Sequence, residues 1–114
     1  SLVYLGVYGT AIDGDIADLA TLSSLTSLYV YNTDIDTYTQ GVLPDWDACN
    51  IYIQDLGLDE TEVDDFLCDL DTASTASSKK LYIYDNAAPS DPDGLACEAA
   101  LEVKGWTVTV EGEE

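Results

Sequence analysis

The chain contains no histidine, no arginine and no methionine, and three lysines are its only basic side chains. Without histidine, the sequence cannot assemble a Ser–His–Asp arrangement and offers no imidazole ligand to a metal ion. It contains neither a G-x-S-x-G motif nor a phosphate-binding loop. No apolar run approaches the roughly 20 residues of a membrane-spanning helix. We therefore expect a protein that is not an enzyme, that uses no cofactor and that does not insert into a membrane.

Most of the charged residues are acidic. Twenty-three acids against three lysines give a net charge of −20 over 114 residues, and Asp outnumbers Glu 16 to 7. Such a charge repels polyanions, so no nucleic-acid partner is expected. The composition resembles that of proteins from hypersaline sources, where salt screens the mutual repulsion of the acids. An acidic surface kept for solubility is the alternative interpretation.

Alternating aspartates could indicate a calcium loop, and five Asp-x-Asp pairs are present: Asp13/Asp15, Asp34/Asp36, Asp45/Asp47, Asp69/Asp71 and Asp91/Asp93. A calcium ion takes roughly six to eight oxygen ligands, usually from one loop. The closest match, Asp91-Pro-Asp93-Gly94, lacks a third acid and a later glutamate. We attribute the pairs to the Asp-rich composition and predict no metal site.

One segment recurs four times along the chain and begins a fifth time. The copies start at Leu5, Leu28, Ile51, Leu81 and Val108. Self-similarity with a period of roughly 20–30 residues predicts a single domain over residues 1–114, built from stacked units. The predicted units cover approximately 2–25, 26–49, 50–79 and 80–106, followed by a terminal strand at 107–111.

Each copy opens on an alternating apolar pair, such as Leu28-x-Val30 or Ile51-x-Ile53. Alternation with a period of two predicts a short strand that buries one face. At the sixth position of its copy, Thr33 or Asn86 is expected to turn the chain away from the sheet. A polar side chain at that position can satisfy backbone groups that no strand partner reaches.

The segments that return the chain to the next strand differ in their periodicity. Apolar residues recur at every third position between residues 16 and 28, which predicts a loose 3₁₀-like return. In the fourth return, a helix is expected to begin with an N-cap at Asp93 and to end near Lys104, with Gly105 directly after its end. The third return has apolar residues at α-helical spacing, namely Val63, Phe66, Leu67 and Leu70.

The first unit reads Thr-x-Ile-x-Gly-Asp-Ile-x-x-Leu from residue 10 to residue 19. This pattern resembles the T-x-I-x-G-x-I-x-x-L variant of the leucine-rich-repeat family, known from plant receptors and from short bacterial and phage proteins. The resemblance implies a right-handed α/β solenoid. About five short parallel strands would form its concave face, with 3₁₀- and α-helical returns on the convex face. Gly41 and Pro44 in the second return, and Ala88 in the fourth copy, depart from the pattern. The family implies protein or glycan recognition rather than a fixed reaction.

Residues that alternate with the buried strand positions are expected to form the open face of the sheet. Seven of the eight tyrosines belong to this set and none of the 23 acids does. Tyr provides a large, rigid contact area with a hydroxyl for hydrogen bonding, as in antibody paratopes. We predict a ligand-binding face formed by Tyr4, Tyr8, Tyr29, Tyr31, Tyr52, Gln54, Tyr82 and Tyr84. The alternative is structural, because tyrosines favour strands and stack on one another across a sheet.

Cys68 and Cys97 take near-equivalent positions in adjacent units, because each follows the start of its copy, at Ile51 or Leu81, by almost the same distance. A disulfide between them is one interpretation. The favoured interpretation makes both of them small core residues of the repeat helices. Cys49, at the entry to the third strand, is expected to be a small buried residue that fills space in the core.

These features together predict a recognition module on the surface of a cell or virion, or otherwise outside the cell, in a high-salt environment. The alternative is a structural spacer from a larger surface or fibre protein, without a ligand of its own. The absence of an initiator methionine suggests a trimmed fragment. Because nothing precedes strand one to cover Leu5, Val7, Ile12 or Ile16, we expect either further upstream sequence or self-association through that strand.

Overall fold

The computed structural model describes residues 3–6, 9, 13–90 and 92–112. Its strands are β1 (Tyr4–Gly6), β2 (Asp13–Asp15), β3 (Ser27–Tyr29), β4 (Asp34–Thr37), β5 (Asn50–Tyr52), β6 (Lys80–Tyr82) and β7 (Thr107–Thr109). Its helices are a 3₁₀ helix over Ile16–Leu19 and two α-helices, α1 (Glu60–Ala73) and α2 (Asp93–Val103). The protein is therefore a small α/β protein, with overall extents of 33 × 27 × 25 Å.

Five of the strands form one parallel sheet in the order β1-β3-β5-β6-β7. Leu5, Leu28, Ile51, Leu81 and Val108 are successive partners across it, which is the register that the repeat predicts. A parallel pair requires a crossover between its strands, and the return segments supply these crossovers. The sequence did not predict the second parallel sheet, in which β2 pairs with β4.

The core lies between the five-stranded sheet and the return segments. Leu28, Ile51 and Leu81 are fully buried and belong to the same hydrophobic cluster as the helical side chains. The predicted apolar stripe of α1 is confirmed, because Val63, Phe66, Leu67 and Leu70 are all 0% exposed. A capping box, in which Asp59 and Glu62 exchange hydrogen bonds with each other's backbone N–H, starts this helix.

The first return contains a 3₁₀ helix, as its three-residue period predicts. The second return has no regular structure between residues 38 and 49, in keeping with its Gly41 and Pro44. It nevertheless contributes Tyr38, Leu43 and Trp46 to the core. The Trp46 indole N–H donates to the Leu22 carbonyl oxygen at 2.9 Å, so this large side chain is buried without an unpaired donor.

The start of α2 differs from its prediction by one residue. Asp93 is the first helical residue rather than the N-cap, and Pro92 occupies the cap without a side-chain hydrogen bond. Gly105 follows the helix end as predicted, with a φ of 109° that favours glycine. A Cβ at residue 105 would lie 2.2 Å from the Ser77 carbonyl oxygen, so packing against the preceding loop also requires glycine.

A left-handed residue follows each strand of the large sheet. These residues have φ between 55° and 95°, and they are Gly9, Asn32, Asp55, Asp85 and Gly112. Each of them takes the fifth position of its copy of the sequence repeat. Gly, Asn and Asp are the residues that tolerate this conformation best, so the same turn ends each strand despite the different lengths of the returns.

Two predictions about burial are wrong. Cys68 and Cys97 are not separate core residues, because a disulfide with a Cα–Cα distance of 5.0 Å links α1 to α2. Parallel placement of equivalent positions on neighbouring helices brings the two thiols together.

Ile16 was expected to be uncovered, but it is 0% exposed because the return segment carries it into the core, whereas Leu5 is half-buried. Val7 and Ile12 lie outside the described residues. The burial of Cys49 is confirmed.

Candidate functional site

A row of tyrosine rings crosses four strands on the face of the sheet that points away from the helices. The ring centroids of Tyr4 and Tyr29 are 5.5 Å apart, and those of Tyr52 and Tyr82 are 4.9 Å apart. Between these pairs, Tyr29 and Tyr52 stack at 4.6 Å with an interplanar angle of 13°. In-register parallel pairing places Tyr29, Tyr52 and Tyr82 side by side, at the separation of neighbouring strands. Tyr4 is the register partner of Ser27 instead, and its ring lies over Gly6, the residue that pairs with Tyr29.

A second row lies two residues further along the strands and consists of Tyr31, Gln54 and Tyr84. The backbone continues to pair here beyond the assigned strands, since the Asp55 N–H donates to the Tyr84 carbonyl oxygen at 3.1 Å. Tyr84 also contacts Tyr82 with a centroid distance of 5.8 Å. Because Gln54 is the one non-aromatic member of this row, the two flanking rings are separated across it.

A pocket of about 210 Å³, the tyrosine pocket, opens where the two rows meet. Among the residues that the structure describes, the side-chain oxygen Oε1 of Gln54 is buried and receives no hydrogen bond from the protein. A buried acceptor without a partner costs free energy, about 1–3 kcal/mol in proteins generally, which a donor from a ligand would recover. The pocket is lined by Tyr29, Tyr31, Tyr52, Gln54, Tyr82 and Tyr84.

The pocket is neutral, but its surroundings are not. Within the described part of the chain, no acid or lysine lines it. Burial, followed by the neighbouring Tyr29 and Tyr82, raises the pKa of Tyr52, which keeps that hydroxyl protonated. Asp55 and Asp85 directly follow Gln54 and Tyr84, and both are exposed. The site can therefore offer ring surfaces, hydroxyl groups and an amide oxygen to a ligand, with carboxylates nearby.

The structure brings six of the eight predicted binding residues together in the pocket. Tyr4 is 52% exposed at the edge strand and does not line the pocket, but its ring contacts Tyr29, which does. Tyr8 lies outside the described residues. Lys80, at another open-face position, is exposed and does not line the pocket.

A larger cavity of about 600 Å³ lies beside the disulfide, between α1 and α2, and several acids line it. One of them, Asp64, already accepts hydrogen bonds from the Ser90 N–H and hydroxyl group. Burial, followed by repulsion from Asp69 and Asp64, raises the pKa of a second, Asp65. Within the described residues, no three acidic or sulfur side chains are arranged to hold a metal ion. Among the described residues that line this cavity, no buried polar side-chain atom lacks a hydrogen-bond partner, in contrast to Oε1 of Gln54.

Sequence reasoning missed that several acids bind the backbone of a neighbouring unit. Asp47 accepts hydrogen bonds from the Ser74 hydroxyl group and from the N–H groups of Thr75 and Ala76. Asp15 likewise accepts from the hydroxyl group and the N–H of Thr39. Both carboxylates lie beside irregular segments, which leave backbone donors without strand or helix partners. The spacing of 24 to 29 residues between partners is the signal that could have indicated these contacts.

Comparison of the chain with sequence-family models, with curated proteins and with solved structures found no match. No helix among the described residues combines the length and the apolar character that crossing a bilayer requires.

Proposed function

We propose that the chain is a non-enzymatic recognition module that binds a protein or a glycan through its tyrosine-bearing sheet face. The observation that supports this most directly is the tyrosine pocket, with the unpartnered Oε1 of Gln54 buried within it. A buried acceptor that receives no hydrogen bond from the protein, beside an open pocket, is a group that a donor on a ligand could satisfy.

The fold that we propose for this module is the right-handed leucine-rich-repeat solenoid. Support comes from the parallel strands, which follow one another in chain order, and from a left-handed residue after each strand. In this arrangement the tyrosine face is concave, and the 3₁₀ and α-helical returns form the convex side. A concave face built from stacked repeats is a common site for binding extended partners.

The distribution of side chains also favours recognition. Aromatic residues are enriched at binding hot spots because they combine apolar area with few rotatable bonds. The acids among the described residues lie in loops, helices and the second sheet, which leaves an uncharged pocket within a strongly acidic molecule. We place such a module on a cell or virion surface, in a saline environment that screens its net charge of −20.

A structural spacer is the second candidate, and one observation favours it. Tyr29 and Tyr52 already stack on each other at 4.6 Å, so part of the tyrosine surface stabilises the sheet itself. A spacer needs such contacts between units but no ligand. It would not need a pocket in the face.

Screening the chain against a glycan array and a random peptide library separates the two candidates. Recognition predicts a ligand whose affinity falls by about 1–3 kcal/mol in Tyr31→Ala and in Tyr82→Ala. Asp18→Asn and Glu102→Gln, on exposed residues away from the face, are the controls and should bind like the parent chain. Failure to bind any glycan or peptide, or an equal loss in both groups of variants, would contradict the proposal.

A further inference from the structure

We infer that the tyrosine pocket accepts an arginine side chain, presented by a basic segment of a protein partner. This inference rests on the proposed recognition function and specifies its ligand. Three properties of the pocket lead to it: its size, the chemistry of its lining and the charge around it.

The size of the pocket suits one side chain rather than a whole small molecule. Its volume of about 210 Å³ lies below the roughly 300–1,000 Å³ of pockets that enclose drug-sized ligands. Tyr31 and Tyr84 follow strands β3 and β6, which flank β5 on either side. Two strand spacings place their backbones roughly 9–10 Å apart. The gap above Gln54 is therefore wide enough for one flat group between two rings.

The chemistry of the lining matches a guanidinium group. Gln54 Oε1 is a buried acceptor and requires a donor. Tyrosine rings attract a cation over their faces, and a guanidinium group stacks on them more readily than an ammonium group does. Because the group is planar with N–H donors around its edge, it can stack on a ring and donate to Gln54 at the same time.

The charge around the pocket selects a cation over a neutral donor. A sugar hydroxyl could also donate to Gln54, but it would gain nothing from the field of a molecule with net charge −20. The exposed carboxylates of Asp55 and Asp85 flank the second row. They are placed to meet further basic residues of the same segment. An arginine within a basic segment is thus complementary to both the pocket and its rim.

The test is an NMR titration of the full chain with acetyl-Gly-Arg-Gly-amide at 0.5 M NaCl, where nonspecific attraction is screened. The matched ligand replaces arginine with citrulline, which has the same shape and no charge. We expect shift changes confined to the tyrosine pocket. We also expect citrulline to bind about fivefold more weakly, as for the loss of a partly exposed cation–π contact.

Substitutions of pocket residues test whether arginine binds in the tyrosine pocket. Tyr31→Leu and Tyr84→Leu keep the apolar volume but remove a ring, so both should weaken arginine binding several-fold. Gln54→Glu should strengthen it, because a carboxylate is a stronger acceptor for a guanidinium than an amide oxygen is. Gln40→Glu is the matched control: it makes the same change of charge at an exposed residue outside the pocket, and it should leave affinity unchanged. Melting curves verify that each variant is folded.

Three results of the titration would overturn the inference. Citrulline could bind as well as arginine, arginine could perturb residues outside the pocket, or Gln40→Glu could strengthen binding as much as Gln54→Glu does. A neutral glycan or peptide that binds the tyrosine face while arginine does not would also overturn it, and the proposed recognition function would survive. If no glycan or peptide binds at all, both proposals are wrong.

Discussion

At the scale of single residues, Asn86 shows how one side chain can complete a turn. Its Oδ1 accepts from the N–H groups of Leu56 and Leu58, and its Nδ2 donates to the carbonyl oxygens of Ile53 and Ile83. Three of these partners lie 28 to 33 residues earlier in the chain, so Asn86 also joins its own unit to the preceding one. The predicted role of this position, satisfying backbone groups at the strand end, is confirmed.

Replacing Asn86 with Ala should lower the free energy of unfolding by about 3 kcal/mol, because several buried backbone groups would lose their partners at once. Urea denaturation at a fixed salt concentration measures this loss. Asn86→Thr is the informative control, since Thr33 occupies the equivalent position two units earlier. The Thr33 hydroxyl group donates a hydrogen bond to the Val30 carbonyl oxygen and accepts one from the Ile35 N–H. The variant should recover part of the loss. Equal stability of Asn86→Ala and the parent chain would contradict this account.

Asp47 provides a prediction about pH. Burial alone raises the pKa of its carboxyl group, but hydrogen bonds from Ser74, Thr75 and Ala76 outweigh burial and lower the pKa below its ordinary value of 3.8. A group whose pKa is lower in the folded state stabilises the fold above its unfolded pKa, and this contribution disappears as the pH falls through the folded value.

Asp47→Asn should therefore cost about 1 kcal/mol at pH 7, and the difference in stability from the parent chain should shrink as the pH falls below the ordinary value of 3.8. Thermal melts of both proteins between pH 7 and pH 2 test this. Asp18→Asn, an exposed residue on the 3₁₀ helix, is the control and should show little difference at any pH. If the difference in stability between the parent chain and Asp47→Asn stays constant down to pH 2, the charge of the Asp47 carboxylate is not the source of that difference.

At the scale of elements, the two α-helices are joined covalently as well as by packing. Cys68 and Cys97 are 29 residues apart, and their disulfide closes a loop that contains β6. Such a crosslink stabilises mainly by limiting the conformations of the unfolded chain, with a larger effect for longer loops.

Reduction of this disulfide should destabilise the protein by about 3.6 kcal/mol, the magnitude expected for a loop of this length. Differential scanning calorimetry with and without a phosphine reductant measures the change. The double variant Cys68→Ser/Cys97→Ser should melt at the lower temperature and should not respond to reductant. If thiol titration confirms reduction but the melting temperature does not move, the disulfide is not a source of stability.

At the scale of the whole molecule, electrostatic repulsion is the main unfavourable feature. The net charge is −20, and Lys104 with Asp71, at 2.7 Å, is the one ion pair found in the described part of the chain. At 0.1 M salt the Debye length is about 10 Å, so acids on neighbouring units repel each other across a molecule only 25 to 33 Å wide.

The melting temperature should therefore rise continuously between about 0.01 M and 1 M NaCl, as the Debye length falls from about 30 Å to about 3 Å. Sodium chloride is the appropriate salt, because sulfate would also strengthen apolar burial. Sucrose at a matched water activity is the control for effects other than screening. A melting temperature that stays flat over this range would reject salt screening as a device that stabilises this fold.

Much of this architecture could be predicted because it depends on local geometry. A strand exposes alternate residues and a helix repeats about every 3.6 residues, so Leu28-x-Val30 and the apolar stripe of α1 indicate their burial directly. The same alternation predicts that Tyr29, Tyr52 and Tyr82 share one face of the sheet. The alternation could not show that Gln54 Oε1 would be buried without a partner, because that depends on how the flanking rings pack.

The sequence by itself determined the five strands of the large sheet, their register, the α1 helix and the composition of the tyrosine face, since each follows from a period of a few residues. The tertiary structure alone decided the pairing of β2 with β4, the disulfide and the binding of Asp47 to the loop after α1. These contacts join residues 21 to 29 positions apart. Return segments of unequal length and shape separate them, and only the packing of those segments on the core fixes which side chains meet.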